Sequence, residues 1–188
     1  RSHGISTRLA GGPANSSCLG NYDAMGEGWS DFFALMMQLK PGDVGTTAQP
    51  VATFALNQPV TGLGLREFPY STDLNINPRL YGATNTPIPT DPADTGYRYV
   101  MGEFWASVLW DLNWAYIQKY GYDNNIYTGT GGNNKVMRLV LDGLKLQPCN
   151  PTMVSGRDAL FAADQATTGG ADRCLIGDVF ARRGLGLN

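Results

Sequence analysis

The sequence predicts a mainly α-helical fold, a single domain over residues 1–188 with long irregular loops. Apolar side chains recur at the three-to-four-residue spacing of helices in several segments, whereas the alternation typical of strands is rare. The middle of the chain is rich in proline and polar turn residues, which favours loops there. With 43% hydrophobic residues, the chain can bury a sizeable core in one domain or one large lobe.

Two long helices are expected in the first two thirds of the chain. One spans about 25–40, where aromatic and methionine side chains share a face, and Pro41 with Gly42 ends it. The other spans about 100–120, and its apolar residues at helical spacing predict a deeply buried face. Gly121 suits the left-handed position that commonly ends a helix.

The C-terminal part is predicted to hold three shorter helices. The first covers about 133–146, and Pro148 lies just beyond its end. A second begins after Ser155, a good N-cap residue, and a third covers about 172–182. Residues 44–96 differ, because seven prolines and clusters of Thr, Asn and Asp predict a long irregular connection, a type of segment that is usually functional.

Composition excludes two classes of partner. A net charge of −2 argues against a nucleic-acid-binding protein, which needs a concentrated basic face. The longest apolar run, 32–37, is far shorter than the ~20 residues that a membrane helix needs. We therefore expect neither a nucleic-acid partner nor a membrane partner.

Three cysteines leave the disulfide state open. Cys149 and Cys174 lie in the same C-terminal segment, and a bridge between them would close a loop of about 25 residues and stabilise the fold by roughly 3 kcal/mol. Such a bridge fits a secreted protein. The alternative is that Cys18, Cys149 and Cys174 are all reduced.

A pair of carboxylates is the sharpest local feature. Glu27 and Asp31, in the segment GEGWSD, are four residues apart and therefore share one face of the first predicted helix. Their like charges repel unless a cation or a hydrogen-bond donor lies between them. Because the neighbouring residues are aromatic, a solvated acidic face is a poor explanation, and the pair favours a metal ligand with a supporting carboxylate.

The chain contains one histidine, His3, in the segment RSHGIS. A lone histidine is more often structural than a metal ligand, but His3 precedes Glu27 by 24 residues. That spacing is similar to the one in thermolysin-type zinc endopeptidases. In those enzymes one helix carries the motif His-Glu-x-x-His, and a later helix supplies a glutamate ligand that is followed four residues on by an aspartate.

Longer blocks of sequence carry a family resemblance. The blocks that carry it are HGISTRLAGGPANSSCL, MGEGWSDFFA, REFPYSTDLNINP, GEFWASVLWDL, GTGGNNKVMRLVLDGLKLQPC and GRDALFAADQ. The resemblance is to the fungalysin family of secreted zinc metallopeptidases, and it extends along nearly the whole chain. The sequences of these blocks are more similar to those of bacterial members than to those of fungal members. The resemblance implies a secreted protein, a zinc cofactor, a protein or peptide substrate, and the helical C-terminal lobe of a thermolysin-like catalytic domain.

The resemblance also implies roles for individual residues. His3 matches the second histidine of His-Glu-x-x-His, Glu27 matches the third zinc ligand, and Asp31 matches the carboxylate that orients a zinc-bound histidine. Two imidazoles and a carboxylate leave zinc a position for water, whose pKa the metal lowers toward ~7. The first histidine and the general-base glutamate belong four and three residues before His3, outside the sequence. We therefore expect this chain alone to bind zinc weakly and to be catalytically incompetent, with an absent N-terminal lobe as its partner.

One further position departs from the family pattern. Family members place a histidine, expected to stabilise the oxyanion of the tetrahedral intermediate, three residues before the Gly-Glu of the GExW block. Tyr99 occupies that position here, and its hydroxyl can donate the same hydrogen bond. The alternative is that Tyr99 is an ordinary aromatic residue near the start of a helix.

Two other functions stay open. The lobe can serve as a non-catalytic binding or inhibitory module, because one ligand, the base and the oxyanion histidine are all missing from it. The residues GWSD superficially resemble a hydrolase nucleophile elbow with Ser30 as the nucleophile, but Phe32 stands where that motif requires a glycine.

A lobe without its partner is expected to expose apolar surface and to self-associate through it. The candidates for that surface are Met25, Met36, Met37 and the tryptophans of the second predicted helix.

Overall fold

The computed structural model of the chain describes residues 2–23, 25–85 and 96–187. Within these ranges six α-helices carry the fold: α1 (Ser2–Leu9), α2 (Gly26–Met36), α3 (Gly96–Tyr120), α4 (Gly132–Leu146), α5 (Met153–Thr168) and α6 (Arg173–Arg182). Short 3-10 turns lie at Phe54–Leu56 and Tyr81–Asn85, and the β pairing of these ranges is one isolated bridge between Gln49 and Tyr70. The prediction of a mainly α-helical fold with long irregular loops is confirmed.

α3 is the central helix of the fold. It packs against α2, α4 and α6, and α5 packs in turn against α4 and α6. From Met101 to Asn113 every residue of α3 is buried, so burial extends around the whole helix and not only along the one face that the spacing predicts. In the described part of the chain, no helix combines the length and the apolar character needed to cross a bilayer.

Several helix boundaries differ from the prediction. α2 ends at Met36, where a tighter turn from Leu35 O to Gln38 N closes it, and α3 begins at Gly96. α5 begins at Met153 because Thr152, not Ser155, is its N-cap. The Thr152 hydroxyl accepts from the Ser155 backbone N–H (3.1 Å), and the Ser155 hydroxyl accepts from the Thr152 backbone N–H (2.8 Å).

α1 was not predicted at all. It is eight residues long and carries few apolar side chains, so its local signal is weak. Its position depends on tertiary contacts with α2 and α4, which a pattern of single residues does not reveal.

The disulfide joins Cys18 to Cys149, so both the predicted Cys149–Cys174 pairing and the all-reduced alternative are wrong. Cys174 is exposed on α6 and has a free thiol. The loop after α1 comes instead to the segment after α4, where the Asn150 backbone N–H also donates to Cys18 O (2.8 Å). The disulfide therefore fastens the segment that follows α1 to the helical core.

The predicted exposed patch is wrong for most of its members. Met25, Met36, Trp105 and Trp110 are buried in the core, and Met37 is exposed. Other exposed apolar side chains occur along the described chain, and five of them lie close together in sequence in the loop that precedes Arg66: Phe54, Leu56, Val60, Leu63 and Leu65. We call these five residues the apolar loop.

Candidate metal centre

α1 and α2 bring His3 and Glu27 together. Each is the second residue of its helix, and His3 Nε2 lies 3.4 Å from Glu27 Oε1. Two ligands that share a tetrahedral zinc at ~2.0–2.1 Å lie about 3.3–3.4 Å apart. The two donor atoms are therefore spaced as neighbours in one coordination shell would be, and the assignment of both residues as metal ligands stays a prediction.

Both side chains of the pair are partly exposed to solvent. The side chain of His3 is 53% exposed and that of Glu27 is 31% exposed. Within the described ranges, no group of three or more His, Cys, Asp or Glu side chains is arranged to hold a metal. An imidazole and a carboxylate are donors of the kind that zinc prefers, so the residues present fit part of a zinc site and need a further protein ligand.

A close crossing of two helices positions Glu27. A Cβ added to Gly102 on α3 would lie 2.4 Å from Glu27 Cβ, and one added to Gly28 would lie 2.4 Å from Gly102 O. Only glycine at both positions allows the two backbones to approach so closely. At this crossing the first turn of α2 packs directly against α3, and the Glu27 carboxylate lies next to His3 of α1.

Arg66 lies between the two carboxylates of α2. Its Nη2 donates to Glu27 Oε2 (3.0 Å) and to Asp31 Oδ1 (3.0 Å), and its Nε donates to Asp31 Oδ2 (2.6 Å). The shared face predicted for Glu27 and Asp31 is thus confirmed, and a guanidinium offsets the repulsion between them. Because Arg66 holds Oε2 of Glu27, the other oxygen remains free to face His3.

Asp31 is held in a buried network of its own. Besides Arg66, it accepts a hydrogen bond from the Tyr70 hydroxyl (2.5 Å). Burial and the adjacent Asp31 raise the pKa of Tyr70, so the phenol stays a donor. Burial alone would lower the pKa of Arg66, but the hydrogen bond and charge of Asp31 outweigh it and raise that pKa. The described hydrogen bonds of Asp31 go to Arg66 and Tyr70, and none goes to His3.

Tyr99 joins the same cluster through Arg66. It lies on α3 at a cleft of about 270 Å³ that Arg66 and Glu103 also line. The Arg66 Cζ lies 5.3 Å from the centroid of the Tyr99 ring, in a cation–π contact. Arg66 Nη1 is buried and has no hydrogen-bond partner in the described chain.

A larger cavity, of about 420 Å³, lies away from this cluster. Tyr116 and Tyr120 line it, together with residues of α4 and α5. Tyr116 is 14 residues beyond Gly102 along α3, which corresponds to ~21 Å. Neither this cavity nor the smaller cleft is lined by His3 or Glu27, but the smaller cleft is linked to that pair through the hydrogen bond from Arg66 to Glu27.

The sequence did not single out Arg66 or Glu103 as site residues. A signal for Arg66 was present, because two carboxylates on an apolar helix face require a cation, but its location in a long loop gave no reason to choose it. Ser30 lies inside α2 and not at a strand-to-helix turn, so the nucleophile-elbow interpretation is wrong.

Comparison with known proteins gives a consistent match over the whole chain. The family model described as fungalysin metallopeptidase (M36) matches residues 1–188. Extracellular metalloproteinase MEP of Pyricularia oryzae is 44% identical over 98% of this chain and 29% of its own length. Extracellular metalloproteinase 2 of Arthroderma gypseum is 42% identical over 99% of this chain and 29% of its own length.

A third relative, extracellular metalloproteinase mep of Aspergillus fumigatus, is 43% identical over 98% of this chain and 28% of its own length. The chain thus spans less than a third of the length of these relatives. All three are fungal proteins, so the expectation of a greater similarity to bacterial members finds no support.

Proposed function

The chain belongs to the fungalysin metallopeptidase family, and from that membership we propose that it forms the C-terminal lobe of the catalytic domain of a secreted zinc endopeptidase. The observation that carries the proposal is the 3.4 Å separation of His3 Nε2 and Glu27 Oε1. The names of the relatives, extracellular metalloproteinases, support a metal, an extracellular location and a protein or peptide substrate.

His3 and Glu27 are two of the zinc ligands in this proposal. Arg66 holds one oxygen of Glu27 and thereby presents the other to the metal. Asp31 holds Arg66 in turn, and also serves the family role of orienting a zinc-bound histidine when the first histidine of the motif is present. A bound zinc supplies Lewis-acid polarisation of the peptide carbonyl and a nucleophilic water.

The cleft beside Arg66 is the proposed position of the substrate backbone. Arg66, Tyr99 and Glu103 line this cleft. Tyr99, on the same cleft, donates its hydroxyl to the oxyanion in place of the family histidine. Its cation–π contact with Arg66 keeps the ring beside the cluster that holds Glu27.

The missing elements of the site belong to polypeptide outside the 188 residues. The motif His-Glu-x-x-His places its first histidine and its general-base glutamate four and three positions before His3. We assign the whole chain to one structural unit, the lobe that carries Glu27, and assign the His-Glu pair to a second lobe. On this assignment the chain alone hydrolyses no peptide bond, since it lacks one ligand and the base.

The unique histidine makes a direct test possible. Zinc is titrated into the chain while the ring protons of His3, the only histidine, are followed by NMR. We expect weak saturable binding in the native chain, and binding weaker by at least about tenfold in Glu27→Gln. Asp142→Asn, which removes a partly exposed carboxylate on α4 that pairs with Lys145, is the matched control and should bind as the native chain does.

A peptidase assay completes the test. The chain with zinc should leave a quenched fluorescent peptide intact, and addition of a family N-terminal lobe carrying the His-Glu pair should give hydrolysis that a chelator stops. Zinc binding that is identical in the native chain and Glu27→Gln would refute the ligand assignment. Chelator-sensitive hydrolysis by the chain alone would refute the proposed incompetence.

The exposed apolar loop favours a second candidate function, a non-catalytic binding or inhibitory module. Phe54, Val60 and Leu63 are among its most exposed side chains, and no charged residue lies between 44 and 65. Such a surface suits association with another protein or with a second copy of the chain. Sedimentation of the native chain and of the double variant Phe54→Ser/Leu63→Ser tests self-association through this loop. A concentration-dependent dimer of the native chain that is lost in the variant supports self-association, and a monomer in both excludes it.

A further inference from the structure

Glu103 touches neither His3 nor Glu27, yet the contacts of its carboxylate determine where Arg66 lies. We infer that Glu103 is a positioning residue for the candidate metal centre, acting through the backbone of the loop that carries Arg66 and then through the Arg66 guanidinium on Glu27. This inference rests on the proposed zinc site. It adds a residue on α3 to that site, one helix away from the ligands.

The first step is the hydrogen bonding of the Glu103 carboxylate to the backbone of the loop that carries Arg66. Its Oε2 accepts from the backbone N–H of Glu67 (3.2 Å), and its Oε1 accepts from the backbone N–H of Phe68 (3.2 Å). These are the two peptide N–H groups that directly follow Arg66. A carboxylate that binds two successive N–H groups fixes the orientation of both peptide planes, and therefore the point from which the Arg66 side chain leaves the backbone.

The second step is the rigidity of Glu103 itself. It is 2% exposed, and Arg79 Nε lies 3.4 Å from its Oε1. Arg79 also pairs with the Glu67 carboxylate, so it ties the helix residue and the loop residue to one guanidinium. The backbone carbonyl of Glu103 accepts a hydrogen bond from Ser107 Oγ (2.7 Å). Glu103 is thus a fixed anchor and not a mobile surface carboxylate.

The third step runs from Arg66 to the candidate ligand. The guanidinium donates to both oxygens of Asp31 and to Oε2 of Glu27, and these bonds require one position and one tilt of its plane. A displaced loop would break the single bond to Glu27 before the bidentate pair with Asp31. Oε2 would then be free to rotate toward His3, and the carboxylate would lose its fixed presentation.

Gly102, which precedes Glu103 on α3, places the support of Glu27 next to the support of Arg66. Gly102 supports the α2 backbone at Glu27, and Glu103, the next residue of α3, supports the loop at Arg66. One turn of α3 thereby positions both the candidate ligand Glu27 and Arg66, the cation that orients it.

Three variants of the chain test the inference. Glu103→Ala removes both acceptor oxygens, and Glu103→Gln keeps one of them with nearly the same volume. Asp111→Asn is the matched control, because Asp111 is another buried carboxylate on α3 that is paired with arginines, Arg182 and Arg183. Circular dichroism first establishes that each variant is folded.

Two readouts are measured on each folded variant. The first is the Nε–H signal of Arg66 in ¹⁵N–¹H NMR, together with hydrogen exchange at Glu67 N and Phe68 N. The second is zinc affinity from the His3 ring signals. In Glu103→Ala we expect a shifted or broadened Arg66 signal, faster exchange at both amides, and zinc affinity lower by about tenfold. Glu103→Gln should recover part of each change, and Asp111→Asn should leave the Arg66 signal in place.

Failure of the proposed zinc site and failure of the positioning role of Glu103 give different results. If the native chain binds no zinc, the proposed zinc site is wrong, and the Arg66 signal still tests whether Glu103 positions that side chain. If zinc binds but the Arg66 signal is the same in the native chain and in both Glu103 variants, the positioning role is overturned. An equal change in Asp111→Asn also overturns it, because the effect would then be one of general stability. Should Glu103→Ala fail to fold, Glu103→Gln alone decides by the same comparison.

Discussion

Gly28 and Gly102 meet where α2 crosses α3, and neither position has room for a side chain. A Cβ at Gly28 would lie 2.4 Å from the Gly102 carbonyl oxygen, and a Cβ at Gly102 would lie 2.9 Å from the Gly28 backbone nitrogen. The obstructing atoms belong to the backbone, so a change of rotamer cannot relieve the clash. The candidate ligand Glu27 is therefore positioned by a contact between the backbones of α2 and α3.

Replacing Gly102 by alanine tests this contact. Because the new methyl group would meet backbone and Glu27 Cβ, we expect Gly102→Ala to separate the helices and to destabilise the fold by about 1–3 kcal/mol in urea unfolding. Gly177→Ala on α6 is the control, since its nearest neighbour, Phe161 Cζ, is 3.8 Å away. That variant should be neutral or stabilised by about 0.5–1 kcal/mol. Equal stability of the two variants would contradict the crossing.

Arg66→Met removes the cation that Glu27 and Asp31 share. The Arg66 side chain is 4% exposed, so the variant leaves two carboxylates close together with their partner gone. We expect a loss of about 3–5 kcal/mol in the free energy of unfolding. Arg8→Ala, an exposed arginine with no ion pair in the described chain, should change it by less than about 0.5 kcal/mol.

A second variant separates charge from packing at Arg66. If charge is the cause, adding Asp31→Asn to Arg66→Met should recover part of the lost stability, because one of the two unpaired charges is then removed. No recovery would show that the side chain acts by its volume, and the account of Arg66 as the neutralising cation would be wrong.

The sequence directed attention to His3, Glu27 and Asp31, but not to the residues that hold them in place. Helical spacing alone placed Glu27 and Asp31 on one face, and a family spacing linked His3 to Glu27. Both relationships depend on residues near in sequence or on a fixed motif. Arg66 and Glu103 come from a loop and from a different helix, and their hydrogen bonds exist only after the chain has folded. The local pattern therefore indicates that the carboxylates need a cation, but not which residue supplies it.

The errors in the fold have the same origin. The Cys149–Cys174 pairing followed from nearness in sequence, whereas the loop after α1 brings Cys18 to Cys149 from 131 residues away. The methionines and tryptophans were expected to be exposed because a partner lobe was assumed to cover them. α3 is instead enclosed by helices of this same chain. Apolar character indicates that a residue is covered, and does not say by what.

Thiol mapping checks the disulfide directly. Alkylation of the unreduced chain should modify Cys174 alone, and proteolysis should give a linked peptide pair that contains Cys18 and Cys149. Because the bridge closes a loop of 131 residues, Cys149→Ser should cost up to about 5 kcal/mol of stability, and Cys174→Ser should cost little. A linked pair that contains Cys174 would overturn this connectivity.

Asp172 gives the fold a defined dependence on pH. Its Oδ1 accepts from Lys119 Nζ (2.5 Å) and from the Tyr120 hydroxyl (2.7 Å), which joins the start of α6 to the end of α3. Burial alone would raise the pKa of Asp172, but hydrogen bonds from Lys119, Tyr120 and Tyr116 outweigh it and lower the pKa. The hydrogen bond to Asp172 is also the main cause that raises the pKa of Lys119 to about 12.

The direction of the Asp172 shift fixes the sign of the effect. The unfolded chain takes up the proton first, near pH ~4, so the contribution of Asp172 is complete above that pH and is lost as the pH falls further. Asp172→Asn should therefore be less stable than the native chain at pH 7, by about 1.5–3 kcal/mol, and the difference should shrink below pH ~4. Urea unfolding from pH 7 to 3 measures it, with Asp178→Asn, an exposed aspartate of α6, as the control. A stability difference that is constant over this range would contradict the lowered pKa, because a group makes stability depend on pH only when its pKa differs between the folded and unfolded states.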